Sequence, residues 1–342
     1  LTIGGSVGAG TVSFMGAVTN LGNATGPSLE VETGQSGMVW FASTVSGVNG
    51  LLFGEGSQAQ FDDAVTLTGG DAANQLFGNV VFDGLSFTSG DLVLGNAPTA
   101  DQVTLSGGPV AVVVTGSLTV NAKVDGSEDL ALTVSGPTTL NGTVGSDTAL
   151  TSLTTDAAGT TTVTGGFVRT SGAQSYGDDV AAGADLRLET TGAGIGFGKS
   201  YEGGSRDLTI GGSVGAGTVS FMGAATNLGN ATGASLVVES GQSGLVWFAS
   251  TVSGVNGLLF AEGSQAKFDD AVTLTGGDAV NKLLGNVVFD GLSFTSEDLV
   301  LGNAPMSDQV TLSGGPVALV VTGSLTVNAK VDGSEDLALT VS

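Results

Sequence analysis

Along this chain a large apolar residue, three mostly small residues and a second apolar residue recur at short, regular intervals. The pairs are Phe14 and Val18, Phe41 and Val45, Phe61 and Val65, Val120 and Val124, Leu140 and Val144, Tyr176 and Val180, and Phe197 and Tyr201, with degenerate forms at Phe82, Leu105 and Val163. A spacing of four also suits one face of a helix. The neighbouring residues decide otherwise: they are Val, Thr, Phe and Gly rather than Ala, Leu, Glu and Lys, and they alternate. From Thr11 to Val18, for example, Val12, Phe14, Gly16 and Val18 fall on one side and Ser13 and Met15 on the other, which predicts strand through the whole stretch. A second apolar pair follows each first one after a turn, often introduced by aspartate, as at Asp91, Asp129, Asp185 and Asp207, with relatives at Leu29 and Leu51. Each pattern therefore holds at least two short strands with alternating inward residues. Gly-Gly, Asn-Gly, Asp-Gly and Ser-Gly between them make corners where positive φ is cheap.

The pattern lies inside a longer one. Leu1 to Ser135 returns as Leu208 to Ser342 with fourteen differences, among them Val18/Ala225, Pro27/Ala234, Phe77/Leu284 and Gly90/Glu297, giving a period of 207 residues. Ten short elements fit that period, roughly one every 21 residues, within the range of short solenoid coils. A coil of that size cannot bury its own apolar side. Stacking it on the next closes a core and pairs every strand edge, and four or five buried side chains at roughly 1.5–3 kcal/mol each offset much of the ordering entropy. The expectation is an all-β, parallel β-solenoid (β-helix) with coils of about 21 residues. It runs as one continuous solenoid rather than separate globular domains: residues 1–135 are the first copy of the long repeat, 136–207 the remainder of the unit and 208–342 the second copy. A string of immunoglobulin-like sandwiches is the alternative. It gives no reason for the short spacing, and it needs a buried tryptophan per domain, whereas Trp40 and Trp247 are one residue in two copies.

Composition narrows the partners. With 32 acidic and 8 basic residues the net charge is -24, which repels nucleic acid and anionic lipid. The longest apolar runs, such as Val110 to Val114, are far below the roughly 20 residues of a spanning helix. No membrane insertion is expected of this segment. The chain has no cysteine, which removes disulfides and thiol chemistry and fits an exported bacterial surface protein.

The block from Ala149 to Gly212 carries a resemblance. Its runs TSLTTDAAGTTTVTGG, SGAQSYGDDV and ADLRLETTGAGIGFG resemble the repeats of large bacterial exoproteins related to filamentous haemagglutinin and autotransporter adhesins. That resemblance implies a right-handed parallel β-helix, export, and a place in a cell-surface stalk, adhesin or extracellular matrix fibre. The secretion-targeting domain and membrane barrel of such proteins do not occur in this stretch.

Candidate chemistry is sparse. With no histidine the commonest general base and metal ligand are missing. A polysaccharide-cleaving β-helix enzyme needs clustered Asp with Arg, Lys or calcium, and Arg169, Arg187 and Arg206 all fall in the segment present once. An enzyme is disfavoured, and no residue is nominated as catalytic, cofactor-binding or metal-ligating. Asp62-Asp63, Asp269-Asp270 and Asp178-Asp179 read first as a solvated face that deters edge pairing and second as a weak calcium ladder between coils. The stretch from Val124 to Asp129, repeated from Val331, has too few spaced oxygens for an EF-hand loop. The glycines after Gly4 and Gly211 read as turns, and the triplets at Asn23, Asn141 and Asn230 as chance glycosylation patterns. The threonines from Thr160 are not expected to form an ice-binding hydroxyl ladder, because the other rungs do not continue them in register. Phe53, Phe61, Phe82 and Phe87 are expected in a core stack, and Trp40 is either core or an exposed platform for sugar stacking. The favoured function is a rod segment of a giant repetitive surface protein, secreted to a bacterial cell surface or matrix. Its partners are neighbouring repeats, with lateral or head-to-tail self-association. The alternative is an adhesive module recognising a glycan or cell-surface protein on one face.

Overall fold

The computed structural model describes residues 1–4, 10–22, 26–34, 37–69, 74–213, 217–229, 233–239, 244–276 and 281–342. They form short strands and turns, and none of them is in a helix; no helix long and apolar enough to cross a membrane occurs among them. The chain divides into two compact units, Leu1–Thr170 and Ser171–Ser342. Each is a parallel β-solenoid, and together they hold about 13 turns at about 22-residue spacing.

In both units a coil contributes one strand to each of three faces. In the first unit Met38–Phe41 and Val45–Val48 are followed by Leu51–Phe61, whose first residues, Leu51 to Phe53, make the third face on Leu29–Val31 and whose last, Gln58 to Phe61, begin the next coil on Met38–Phe41. Among the described residues the strand pairings are parallel, each strand lying on the one about a coil earlier: Val45 on Val18, Val65 on Val45, Phe87 on Val65. Alternation does the rest, since Val110, Val112 and Val114 are buried while Ala111 and Val113 face outward. In-register stacking turns the sequence periodicity into columns. One runs Phe14, Phe41, Phe61, Phe82, Leu105, Gly126. The second unit repeats it as Tyr176, Phe197, Phe221, Phe248, Phe268, Phe289, Leu312, Gly333. Adjacent rings stack nearly parallel: Phe14 and Phe41 at 5.0 Å, Phe41 and Phe61 at 4.8 Å, Phe197 and Phe221 at 4.7 Å. Phe53, Phe61, Phe82 and Phe87 are all buried, as the core-stack expectation has it.

The i, i+4 pattern has a different local meaning from the one expected. The strand through Thr11–Val18 is interrupted: Thr11–Phe14 ends on one face and Val18–Thr19 begins on the next. The same break separates Phe41 from Val45 and Leu140 from Val144. The four-residue step spans a corner, with both apolar members aimed into the core from adjoining faces. The expected minimum of two strands per coil is met with three.

Buried polar groups tie coil to coil. Asn74, 1% exposed, accepts from Leu51 N on the preceding coil and donates to Asp91 O on the following one at 3.0 Å. Asn281 repeats both contacts with Leu258 and Asp298. Gly126 closes its column because no side chain fits there: at φ +143° a Cβ would sit 2.2 Å from Leu105 O. Nearby, where the column has changed from phenylalanine to leucine, the core leaves an apolar cavity of about 20 Å³ lined by residues including Leu94, Val103, Val112, Leu118 and Val120.

Candidate functional site

The outward faces carry three polar arrangements. The first surrounds the tryptophan. Trp40 sits on the outward side of Met38–Phe41, half-buried, and its indole Nε1 donates to Asp62 Oδ2 at 2.6 Å, while Gln60 Nε2 donates to Asp62 Oδ1 at 2.8 Å. In the second copy Trp247 donates to Asp269 in the same way. There Lys267 replaces Gln60, and its ammonium lies 2.5 Å from Asp269, 3.1 Å from Asp290 and 5.7 Å from the Trp247 ring centroid. The hydrogen bond that Lys267 donates to Asp269 outweighs burial and raises the Lys267 pKa. Trp40 is therefore neither core nor a free platform: its polar edge is bonded to the next coil. Asp63 stays exposed and accepts from Ala64 N.

The second arrangement is a set of aspartate staples. Asp91 Oδ1 accepts from both Ser117 N and Ser117 Oγ, and Asp129 Oδ1 from Ser152 Oγ at 2.5 Å. Asp179 Oδ1 takes Ser200 N and Oγ, and Asp298 Oδ1 takes Ser324 N. Asp185 takes Asp207 N. Each partner lies a coil further on. The hydrogen bond from Ser200 holds the Asp179 carboxyl below the usual range, whereas burial, with Asp185 nearby, pushes Asp207 up. Asp125, 2% exposed, accepts Asp147 N and Thr148 N at 2.8 and 3.1 Å. Of the aspartates that introduce the second apolar pair, Asp91, Asp129 and Asp185 are thus inter-coil acceptors. Sequence reasoning placed them only as the residues that introduce the second apolar pair after a turn; the signal it missed is the serine or backbone donor one coil later.

The third is a clamp across two coils. Arg187 Nη1 and Nη2 grip Glu239 Oε1 and Oε2 at 2.5 and 2.7 Å, and Nε donates to Glu189 at 2.6 Å. The pair passes over Gly211, where a Cβ would lie 2.3 Å from the guanidinium. Arg187 lowers the Glu239 pKa through this hydrogen bond, and its own pKa is raised. Arg169 donates to Ser146 O and covers the Phe167 ring at 5.8 Å. Tyr176 and Tyr201 are fully buried, and burial raises both phenols well above their ordinary range.

No group of three or more carboxylates placed to share one ion occurs among the described residues. The ladder expectation at Thr160 is corrected: Thr138 pairs with Thr161 and Thr139 with Thr162, so the hydroxyls do continue in register, from Thr119 through Thr139 to Thr162. Thr138 and Thr161, by contrast, point inward and are buried. Within the glycine runs after Gly4 and Gly211, residues 5–9 and 214–216 lie outside the described residues, as do the triplets at Asn23 and Asn230. No family model matches this chain, and no curated protein or solved structure matches it either.

Proposed function

We propose that this chain is a structural module of an extracellular, haemagglutinin-like surface protein, acting as a segment of stalk or fibre whose task is reach. One observation carries the reading: the two long copies keep the inward columns, the Asp91/Asp298 staple and the Asn74/Asn281 tie while outward positions exchange. Glu30/Val237, Met38/Leu245, Gln60/Lys267 and Gln75/Lys282 are outward, half-buried positions on their strands. Inward changes stay apolar, as in Val18/Ala225 and Val112/Leu319. A surface whose work is recognition needs its outward residues held fixed, whereas a spacer needs only its core and its register. Neither catalysis nor a bound cofactor enters this reading.

Strand spacing sets the test. At about 4.8 Å per coil, a 207-residue unit with about 22 residues per coil adds roughly 45 Å. Small-angle scattering from arrays of one, two and three units is expected to give a constant cross-section and a maximum dimension growing by that step. A maximum dimension that grows by much less, with a thickening cross-section, rejects the reading. A second reading, an adhesive face for glycan, draws on Trp40 and Trp247, which place an indole among Gln, Asp and Lys on an outward face. Glycan-array binding by a single unit, lost in Trp40→Ala, would favour it.

A further inference from the structure

The three faces of a coil differ in the charge of their outward residues. In the first unit one face carries the in-register ladder Thr19, Ser46, Thr66, Thr88, Val113, Thr133. Beside it runs a second ladder, Ser86, Ala111, Ala131, Thr154. The second unit repeats the first ladder as Thr226, Ser253, Thr273, Thr295, Val320. All of these residues are exposed or half-buried, and none is charged. Carboxylates stand at the margins: Asp129 opens its strand, and Glu202, one coil before Thr226, accepts from its hydroxyl at 2.7 Å.

The other two faces are unlike it. The tryptophan's ladder runs Trp40, Gln60, Val81, Thr104, Asp125 and takes Lys267 in the second unit. The third face has Glu30 beside Leu52 and Gln75, and in the second unit Arg187 and Lys282. The exchanges Met38/Leu245, Gln60/Lys267, Glu30/Val237 and Gln75/Lys282 all fall on these two faces, whereas the uncharged ladders are the same in both copies wherever both copies contain them. The chain as a whole carries a net charge of -24, so two copies repel one another on approach. Contact through the neutral face brings the fewest carboxylates together, and its small side chains, Thr, Ser, Ala and Val, leave little relief to obstruct sheet-on-sheet packing.

We infer that this uncharged threonine, serine and valine face is a lateral contact between two copies of the chain. The inference rests on the rod reading above and says which side of the rod meets its neighbour. Size sets its strength. Six rungs at about 4.8 Å, crossed by strands of four or five residues at about 3.3 Å each, offer roughly 400 Å² per unit. That is about half of the roughly 800 Å² per partner found in stable pairs. A single copy of the face therefore holds weakly, and arrays that engage several copies at once gain by avidity. Salt fixes the sign: screening relieves the repulsion between the acidic bodies and leaves a neutral contact intact, so association tightens as salt rises. Contact through ion pairs, such as Lys267 with a carboxylate of the other copy, would loosen instead.

Sedimentation equilibrium of the intact chain tests this. Reversible dimerisation is expected with a Kd on the order of 100 μM, at least threefold tighter in 0.5 M than in 0.05 M sodium chloride. Thr88→Glu combined with Thr295→Glu, which places a carboxylate on the ladder in each unit, is expected to weaken it at least tenfold. Val81→Glu combined with Val288→Glu adds the same charge to the outward tryptophan face and is expected to stay within twofold of wild type. Circular dichroism checks that both variants fold, and the salt series on the wild-type chain needs no variant. A chain that stays monomeric to about 1 mM, association that weakens with salt, or equal loss in the two variant pairs overturns the inference. Scattering from arrays diluted below the association range still reads their growth in length, so the rod reading is tested separately.

Discussion

Within the first unit the coils from Phe14 to Phe87 and those from Leu92 to Val163 solve the same packing problem with different side chains. The former fill their interior with rings in register, at 5.0 and 4.8 Å between neighbours, and close it with Phe82 and Phe87 at 5.4 Å. The latter use leucine and valine, continue the column from Phe82 through Leu105 to Gly126, and leave a cavity of about 20 Å³. From Phe14 to Phe61 the stacked rings repeat at the strand spacing, so each fits the one before it, and the stack loosens at Phe82, 6.1 Å from Phe61 and tilted by 32°. Branched aliphatics have no such match to the rung distance, and the gap between them reflects it. Density, more than hydrophobicity, separates the two stretches.

The comparison can be broken first at Phe61, which is fully buried and touches Phe41, Phe82 and Phe87. Phe61→Ala is expected to destabilise the first unit by about 3–5 kcal/mol, read as a lower urea midpoint. Gly126→Ala comes next at about 2–3 kcal/mol, since it forces a side chain into positive φ and against the Leu105 carbonyl. A smaller effect, about 0.5–1 kcal/mol, is expected in the second unit from Arg187→Ala, a part-exposed bidentate pair. Its sign with pH is fixed. Arg187 depresses the Glu239 carboxyl below the ordinary value of 4.5, so its contribution is full above that value and is lost as pH falls through the depressed one. Wild type and Arg187→Ala are therefore expected to differ in melting temperature at pH 7 and to converge at acid pH. The smallest effect has the opposite direction. Val112 lines the cavity, and the second copy carries Leu319 at the equivalent position. Val112→Leu is expected to stabilise by up to about 0.8 kcal/mol, one added buried methylene.

Much of this was legible from the pattern of apolar positions. Alternation gave strand over helix, the recurrence near 21 residues gave a solenoid, and Phe53, Phe61, Phe82 and Phe87 were placed in the core because burial follows from period and size. Corners were misread: in Thr11–Val18 the alternating pattern does not reveal that Met15–Ala17 turns the chain onto a new face, because small residues suit a strand and a corner equally. Inter-coil polar contacts were invisible for another reason. Asp91 and Ser117, or Arg187 and Glu239, are 26 and 52 residues apart, and only the exact register of neighbouring coils brings them together. The tryptophan's partner at Asp62 was hidden in the same way.

That register is the centre of the account, and engineered cysteines report it without background, because the chain has none. Thr66 and Thr88 lie side by side on adjacent parallel strands with outward side chains. Thr66 and Ser86 are offset by two residues, which at strand geometry puts their Cα atoms about 8 Å apart, beyond disulfide reach. Under mild oxidation the chain carrying Thr66→Cys and Thr88→Cys is expected to form an intramolecular bridge, and the chain carrying Thr66→Cys and Ser86→Cys to remain reduced. Closure of the offset pair, or failure of both, would contradict the parallel coil register on which the columns, the staples and the proposed function all depend.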